Sequence, residues 1–222
     1  MTFSLIARDP QTGDFGAAVA TGGPCAGGYV LHAMPGVGAI ATQGLYTNTL
    51  YGPHGLRMLE AGAAADAVVA ALTARDGGSA YRQLIVLDRE GRSAGWTGAH
   101  NVGAMAHECA TDLALAGNYL HSAALIPAMR DAFRTHTGSL VERLLAALAA
   151  SRAVGGDSRG EWSAAVRVVS MDRAPLDLRV DYDAAPITRL HEIHTQVQQA
   201  DFQRFLRSIP VPNAPDRAGE FT

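Results

Sequence analysis

Lysine is missing from this sequence of 222 residues, in which all 18 basic residues are arginine. Its absence excludes a Schiff-base lysine, a phosphate-loop lysine and a lysine general base, because each needs a primary amine on a side chain. Basic residues form no cluster, and the formal net charge is −3. Nothing in the sequence therefore suits a phosphate backbone, and we expect no nucleic-acid partner.

Cysteine and long apolar runs are also scarce. The two cysteines, Cys25 and Cys109, are interpreted as free thiols. No apolar run approaches the ~18 residues that would span a bilayer, and the first ten residues, MTFSLIARDP, lack the basic start and apolar centre of a signal peptide. Hydrophobic residues make up 48% of the chain, which is typical of a globular protein. These features predict a cytoplasmic protein with no membrane partner.

Turn residues and apolar runs predict alternating groups of strands and helices. Two hairpins are expected, from residues 3–8 with 15–21 and from residues 81–88 with 93–98. Further strands are expected at residues 36–44, 112–117, 164–170 and 176–182, and helices at 53–62, 63–74, 123–134, 139–152 and 187–207. Because hairpins dominate over βαβ units, we predict an α+β fold with largely antiparallel sheets. One domain would span residues 1–208, followed by a loose Pro- and Gly-rich tail at 209–222.

Four motifs carry a family resemblance. They are TFSLIARDPQTG (residues 2–13), PGVGAIATQ (35–43), TNTLYGPHGL (47–56) and GGDSRGEWSAA (155–165). With these motifs in this order, the chain resembles domain-of-unknown-function family 1028, which is assigned to the N-terminal nucleophile (Ntn) hydrolase superfamily. The resemblance runs from residue 2 to about residue 205. It implies a four-layer αββα sandwich in which the first residue of the mature chain starts a central strand and acts as the nucleophile in amide hydrolysis.

Thr2 is the nucleophile that this resemblance implies. Removal of Met1 would expose its α-amine, whose pKa of about 8 suits a base for its own hydroxyl. The simpler interpretation is that Thr2 is only the first residue of a strand. Ser4 lies two residues further on, so it shares a strand face with Thr2. It would help to orient the site, act itself, or be a half-buried hydroxyl bonded to a neighbouring strand.

The glycine-rich loop at residues 22–28 offers a second set of candidates. Successive backbone N–H groups at Gly22 and Gly23 could form an anion-binding nest, although the loop also fits a simple edge turn. Cys25 would be an alternative nucleophile if His32 or His54 lowered its pKa. A lone cysteine among small residues is more commonly an inert packing group.

Polar residues after the strand at 36–44 are candidates for binding a substrate. Gln43, Thr47 and Tyr51 would orient it, and the amide of Asn48 would donate to the carbonyl oxygen. The same residues also suit turns, because asparagine and Gly-Pro mark turns as well. Asn118 is interpreted in the same way.

The loop after the helix at 139–152 contains the last pair of candidates, Asp157 and Arg159. They would hold an anionic substrate group or fix the loop through a charge-assisted hydrogen bond. The eight histidines give no metal signature, since His191 and His194 lack an obvious third ligand. We expect no metal and no cofactor.

The sequence and the resemblance together predict an amidohydrolase that cleaves the C–N bond of a small or cyclic amide. Thr2, Ser4 and Asn48 are the expected catalytic residues. Two alternatives stay open: a hydrolase on the same fold that depends on Cys25, and a non-catalytic binding or assembly protein. The expected partners are a small-molecule substrate and further copies of the chain in a homo-oligomer.

Overall fold

A computed structural model describes residues 2–155 and 160–219, and these contain ten strands and six helices. The strands are β1 Thr2–Arg8, β2 Phe15–Thr21, β3 Leu31–Met34, β4 Gly38–Gly44, β5 Arg82–Asp88, β6 Ser93–Thr97, β7 Ala104–Ala110, β8 Leu113–Leu120, β9 Ser163–Val169 and β10 Leu176–Val180. The helices are α1 Tyr51–Glu60, α2 Ala65–Ala74, α3 Leu125–Thr135, α4 Leu140–Ala150, α5 Pro186–Val197 and α6 Ala200–Ser208.

The strands form two sheets. One sheet has six strands in the order β10-β9-β2-β1-β8-β7, and the other has four in the order β3-β4-β5-β6. Neighbouring strands are antiparallel throughout both sheets. The expectation of a mixed α and β fold with antiparallel sheets is thereby confirmed. β1 lies inside the larger sheet between β2 and β8, so its first residue is far from either sheet edge.

The alternation of side chains along β1 explains how the sheets pack. Phe3 and Leu5 belong to an apolar cluster with α3, α4 and α5, whereas Ile6 belongs to a second cluster that contains residues of both sheets. Successive side chains of a strand point to opposite faces. Even-numbered residues of β1 therefore face the four-stranded sheet. A third apolar cluster joins that sheet to α1 and α2.

Close contacts between layers depend on small residues and a helix cap. A Cβ atom at Gly16 of β2 would lie 2.6 Å from Cδ1 of Leu144, so glycine lets α4 approach the sheet. α4 begins with a capping box in which Ser139 and Glu142 satisfy each other's backbone N–H groups. Its leucines, including Leu144 and Leu148, are fully buried against the six-stranded sheet.

The structure differs from the sequence-based expectation in three places. The sequence pattern does not predict β3 or β7, because β3 is short and β7 is an edge strand whose residues are half-buried or exposed. The helix expected at 187–207 is two helices, α5 and α6, separated by an extended Gln199. Part of the expected loose tail is docked: Val211 is buried, and the backbone N–H of Asn213 donates to the carbonyl of Met171 at 3.0 Å.

Candidate active site

Thr2 starts β1 and is half-buried. In the sheet it lies opposite Thr21 of β2 on one side and Asn118 of β8 on the other. Its hydroxyl oxygen Oγ1 is 2.9 Å from Oγ1 of Thr21, a hydrogen bond in which either group can donate. Ser4 faces the same side but is fully buried, and its hydroxyl has no partner among the described residues. Of the two candidate hydroxyls, only that of Thr2 lies at the strand end.

Polar side chains from both sheets meet at this end, and we call them the inter-sheet polar layer. In the six-stranded sheet, paired residues of neighbouring strands form one row of polar side chains. Paired residues of the four-stranded sheet form a second row, and the two rows face each other. The layer consists of Ser163, Thr21, Thr2 and Asn118 from the larger sheet and Gln43, Gln83 and Thr97 from the smaller. None of these seven side chains is ionisable in the physiological range.

Gln83 is the centre of the layer and is fully buried. Its Nε2 is 2.9 Å from the carbonyl oxygen of Gly117 and 3.1 Å from that of Ala106, both on the opposite sheet. Backbone carbonyls only accept hydrogen bonds, so they fix which end of the Gln83 amide is nitrogen. Its oxygen Oε1 then accepts from Nδ2 of Asn118 at 2.9 Å and from Nε2 of Gln43 at 2.7 Å.

Gln43 connects this network to Thr2. Its Nε2 also donates to the carbonyl oxygen of Thr2 at 3.2 Å. Its Oε1 is buried and has no hydrogen-bond partner among the described residues. The amide nitrogen of Gln43 therefore binds the start of β1, while its amide oxygen has no hydrogen-bond donor among the described residues.

His107 of β7 borders the layer. Its ring Nδ1 is 2.8 Å from Oγ1 of Thr97, which in turn contacts Gln83. Burial lowers the pKa of His107, so the neutral imidazole dominates at pH 7. A Cβ atom at Gly95 would lie 2.6 Å from this ring, which explains the glycine in β6.

The glycine-rich loop is fastened to the sheet rather than open. Ser163 donates to the carbonyl of Gly23 at 2.7 Å and accepts from the N–H of Ala26 at 3.1 Å. The N–H of Cys25 donates to the carbonyl of Asp181, and the N–H of Gly28 donates to that of Cys25. Three N–H groups of this loop, those of Cys25, Ala26 and Gly28, are thus already used. Gly22 and Gly23 follow directly after Thr21, beside the polar layer.

Cys25 is exposed and has a left-handed backbone with φ of 61°. Arg179 lies over the neighbouring Gly27 and Gly28, and its pKa is raised chiefly by Asp181, with a smaller contribution from Cys25. His32, an expected partner for the thiol, instead packs against Gly52 of α1.

Asn48 and Tyr51 belong to a different cluster, which surrounds Asp76. Nδ2 of Asn48 and the hydroxyl of Tyr51 each donate to Asp76 Oδ2 at 2.9 Å, and Nε of Arg82 donates at 3.0 Å. These bonds hold the pKa of the Asp76 carboxyl far below its usual range, with Arg82 as the largest cause. The hydrogen bonds of the Asn48 side chain go to Asp76 and to the N–H of Leu50, and neither goes to the polar layer.

The remaining expected residues lie elsewhere. Thr47 is half-buried in the loop before Asn48. Asp157 and Arg159 fall outside the residues that the structure describes. Within the described ranges, no group of three histidine, cysteine or acidic side chains is placed to hold a metal ion. No helix in those ranges has the length and apolar character needed to cross a bilayer. A cavity of about 510 Å³ lies at the opposite end of β1 and β2, bordered by Asp9 and Asp14.

Comparison with protein-family models matches residues 2–190 to a family of unknown function, DUF1028. The chain belongs to the DUF1028 family. Protein SPO2555 from Silicibacter pomeroyi, a DUF1028 protein with a crystal structure, is 35% identical, with a TM-score of 0.95 over 100% of this chain and 96% of that one. Anbu (ancestral beta-subunit) from Yersinia bercovieri gives a TM-score of 0.42 at 13% identity, covering 90% of this chain and 96% of that one. No curated protein matches the chain.

Sequence reasoning misses several residues of this candidate site. Thr21, Gln83, Thr97 and Ser163 each lie at the end of a strand, where a polar residue ends or begins an apolar run. Strand ends are also where turns begin, so no local pattern separates these residues from ordinary turn residues. Their relation becomes visible only when the two sheets are placed face to face.

Proposed function

We propose that this DUF1028 protein is an amidohydrolase whose nucleophile is Oγ1 of Thr2, on a four-layer αββα sandwich of the Ntn-hydrolase kind. The supporting observation is the position of the hydroxyl. Thr2 lies half-buried at the head of a central strand, with its hydroxyl bonded to Thr21 and its carbonyl bonded to a buried amide network. A hydroxyl held by neighbours at the end of a polar layer has the preorganisation that nucleophilic catalysis requires.

The mechanism requires a chain that begins at Thr2. Its α-amine, directly or through water, takes the proton of Oγ1 as that oxygen attacks the carbonyl carbon of the substrate amide. The tetrahedral intermediate collapses, the C–N bond breaks, and the leaving nitrogen takes the proton from the ammonium group. Water then hydrolyses the acyl ester on Thr2 and restores the free hydroxyl.

Asn118 is the side chain that we assign to the oxyanion of the intermediate. It lies directly opposite Thr2 in the sheet, and its Nδ2 carries two hydrogens. One of them is used by Oε1 of Gln83. The other is available to a developing negative charge, and a donor of this kind commonly contributes 10²–10³-fold in rate. We do not assign this role to Asn48, whose amide nitrogen is bound to Asp76.

The substrate that best suits the layer is a small or cyclic amide without charge. The layer presents hydroxyl and amide groups, and the bordering His107 is neutral at pH 7. Such groups match the N–H and C=O of an amide, and they offer no counter-ion to a charged substrate. The proposed chemistry uses no cofactor.

The test combines intact mass with turnover of chromogenic anilides of small acyl groups and of simple lactams. We expect the active protein to begin at Thr2. The Thr2→Ala variant should lose at least about 10³-fold in kcat/KM, because both attack and proton transfer depend on this residue. Thr2→Ser should retain measurable turnover because it keeps a hydroxyl beside the amine.

Cys25→Ser is the matched control, since it changes an exposed nucleophilic side chain outside the layer. It should leave turnover unchanged. Loss of activity in Cys25→Ser but not in Thr2→Ala would move the chemistry to the thiol. Turnover by protein that keeps Met1 would contradict the N-terminal mechanism. Absence of turnover with every amide tested would favour a binding protein.

A further inference from the structure

The unpartnered oxygen of Gln43 is the starting point. Gln43 is 1% exposed, and its Oε1 has no hydrogen-bond donor among the described residues. A buried polar atom without a partner costs about 1–3 kcal/mol, so native proteins leave few of them. This atom lies within the network that holds Thr2, rather than at a remote position in the core.

The orientation of the Gln43 amide follows from its neighbours. The carbonyls of Gly117 and Ala106 fix the nitrogen of Gln83, and hence its acceptor oxygen. That oxygen requires a donor from Gln43, which must therefore present Nε2 to it at 2.7 Å. The carbonyl of Thr2 requires a donor from the same nitrogen. If the Gln43 amide were flipped, its oxygen would face two other acceptors, Oε1 of Gln83 and the carbonyl oxygen of Thr2. Oε1 of Gln43 is therefore the atom without a partner among the described residues.

The backbone nitrogen of Thr2 is the group that could supply the missing donor. It belongs to the same residue whose carbonyl the Gln43 amide already binds. While Met1 is attached, this nitrogen has one hydrogen, which pairing with a neighbouring strand can use. Once the chain begins at Thr2, it is an ammonium group with three hydrogens and gains the donors that the buried oxygen lacks.

We propose that Gln43 is a positioning residue whose Oε1 accepts a hydrogen bond from the α-ammonium group of Thr2 after Met1 is removed. The inference deepens the proposed function and rests on it, because it needs a free amine at Thr2. Gln43 then holds both backbone groups of the residue, the carbonyl through Nε2 and the amine through Oε1. The amine is thereby fixed beside the hydroxyl that it is to deprotonate.

The surroundings contain few charges that would confuse a titration of this amine. The neighbouring residues of β2, β8 and β5 are Thr21, Asn118 and Gln83, none of which titrates near neutral pH. β6 and β7 contribute Thr97 and His107, and burial favours the neutral form of that histidine. The glycine-rich loop contributes Cys25, and the ion pair between Arg179 and Asp181 lies beside this loop.

The absence of lysine makes the test direct, because the α-amine is the chain's only primary amine. The protein is treated with methionine aminopeptidase until intact mass shows the loss of Met1. Dilute acetic anhydride then labels the amine at a series of pH values, and mass spectrometry gives the rate. The midpoint of the rate against pH is the pKa of the amine, for which about 8 is the unperturbed value.

We expect the midpoint in Gln43→Met to lie about one unit below that of the unsubstituted protein, because the ammonium form loses a hydrogen bond. Gln43→Glu should shift it upwards, because a carboxylate favours the ammonium form more strongly. Ser4→Ala is the matched control: it removes the other unpartnered buried polar atom of this region and should leave the midpoint unchanged. Processed protein should also unfold at a higher urea concentration than protein that keeps Met1.

Midpoints that agree within error in Gln43→Met, Gln43→Glu and the unsubstituted protein would overturn the proposal and indicate that water pairs with Oε1. Should Gln43→Met fail to fold, equal urea midpoints for protein with and without Met1 would overturn it as well. The labelling does not depend on turnover. A shift in the pKa of the amine without amide hydrolysis would therefore support the Gln43 contact and contradict the proposed activity. Amide hydrolysis without the pKa shift would support the activity and contradict the contact.

Discussion

At the scale of single residues, Asp76 shows how one carboxylate can organise a loop. It accepts hydrogen bonds from Asn48, Tyr51 and Arg82 and, through Oδ1, from the N–H of Gly78 at 2.7 Å. Its side chain is 14% exposed, so water screens these bonds little. The cluster fixes the chain between β4 and α1 to the start of β5.

We expect Asp76→Asn to reduce the free energy of unfolding at pH 7 by about 2–3 kcal/mol, the loss typical of hydrogen bonds to a charged group. The folded-state pKa of Asp76 lies below the unfolded value of about 3.9. The stabilisation is therefore fully present above that value and is lost as pH falls through the folded pKa. Urea unfolding at pH 7 and at pH 3 should show a smaller difference between variant and unsubstituted protein at the lower pH.

Asp201→Asn is the control for this prediction, because its carboxylate is 92% exposed and, among the described residues, is paired with Arg204 alone. Exposed pairs contribute little, so the change should stay within about 0.5 kcal/mol at both pH values. A loss in Asp76→Asn no larger than in the control would show that the cluster does not stabilise the fold.

The sequence predicts which residue types lie in the site better than it predicts the hydrogen-bond partners of those residues. The sequence marked Gln43, Asn48 and Asn118 alike as amides near strand ends. Only the folded structure shows that Gln43 and Asn118 meet at Gln83, while Asn48 meets Asp76. These partners lie 28 to 41 residues apart along the chain. Such contacts depend on register between distant strands, which no local pattern contains.

At the scale of secondary-structure elements, Gln83 joins the two sheets. Its side chain starts on β5 of the smaller sheet and reaches the carbonyls of Gly117 and Ala106 in the larger one. The rest of the contact between the sheets is largely alanine, valine and isoleucine. Apolar contacts are non-directional, so the directional bonds of Gln83, with those of Gln43 to Thr2 and Thr97 to His107, specify how one sheet is aligned on the other.

We expect Gln83→Met, a change to an unbranched apolar side chain, to lower the free energy of unfolding by about 2–4 kcal/mol. It removes the acceptor of the buried Asn118 amide and the hydrogen bonds to the carbonyls of Gly117 and Ala106. Urea unfolding measures the effect. Ile85→Met is the control, since Ile85 lies on the same face of β5 and the change conserves volume, with an expected cost below about 1.5 kcal/mol. Equal losses in the two variants would show that the polar bonds add nothing.

Elements with a strong local pattern could be predicted from the sequence. The hairpin of β1 and β2 has a turn signal at Asp9-Pro10, and α4 has a capping residue followed by a leucine stripe. β7 lacks such a pattern, because its alternate residues pack only partly against neighbours at the edge of the sheet. The break between α5 and α6 has neither glycine nor proline, so tertiary packing rather than local propensity ends the helix there.

At the scale of the whole molecule, the C-terminal segment extends the fold beyond the last helix. Val211 is 5% exposed, and Asn213 bonds through its side chain to Asp172 at 2.9 Å as well as through its backbone to Met171. Arg217 reaches the carbonyl of Asp172 and forms part of the wall of the 510 Å³ cavity. The segment thus closes over the turn between β9 and β10.

We expect a chain shortened to end at Ile209 to lose about 2 kcal/mol of stability, from one buried valine and its neighbouring hydrogen bonds. For a protein of this size, this corresponds to a fall in Tm of roughly 4–8 °C. Hydrogen exchange should become faster at Met171–Arg173. Val211→Ala in the full chain measures how much of the lost stability comes from the buried valine and how much from the hydrogen bonds. An unchanged Tm and unchanged exchange in the shortened chain would mean that the segment is not docked in solution.

The central position of β1 has a practical consequence for anyone who handles this protein. The first described residue, the half-buried Thr2, lies between two inner strands of a sheet. An affinity tag or fluorescent fusion joined ahead of Thr2 would have to leave through the end of the polar layer. The proposed chemistry needs a free amine at Thr2, so purification and labelling handles belong behind the C-terminal segment.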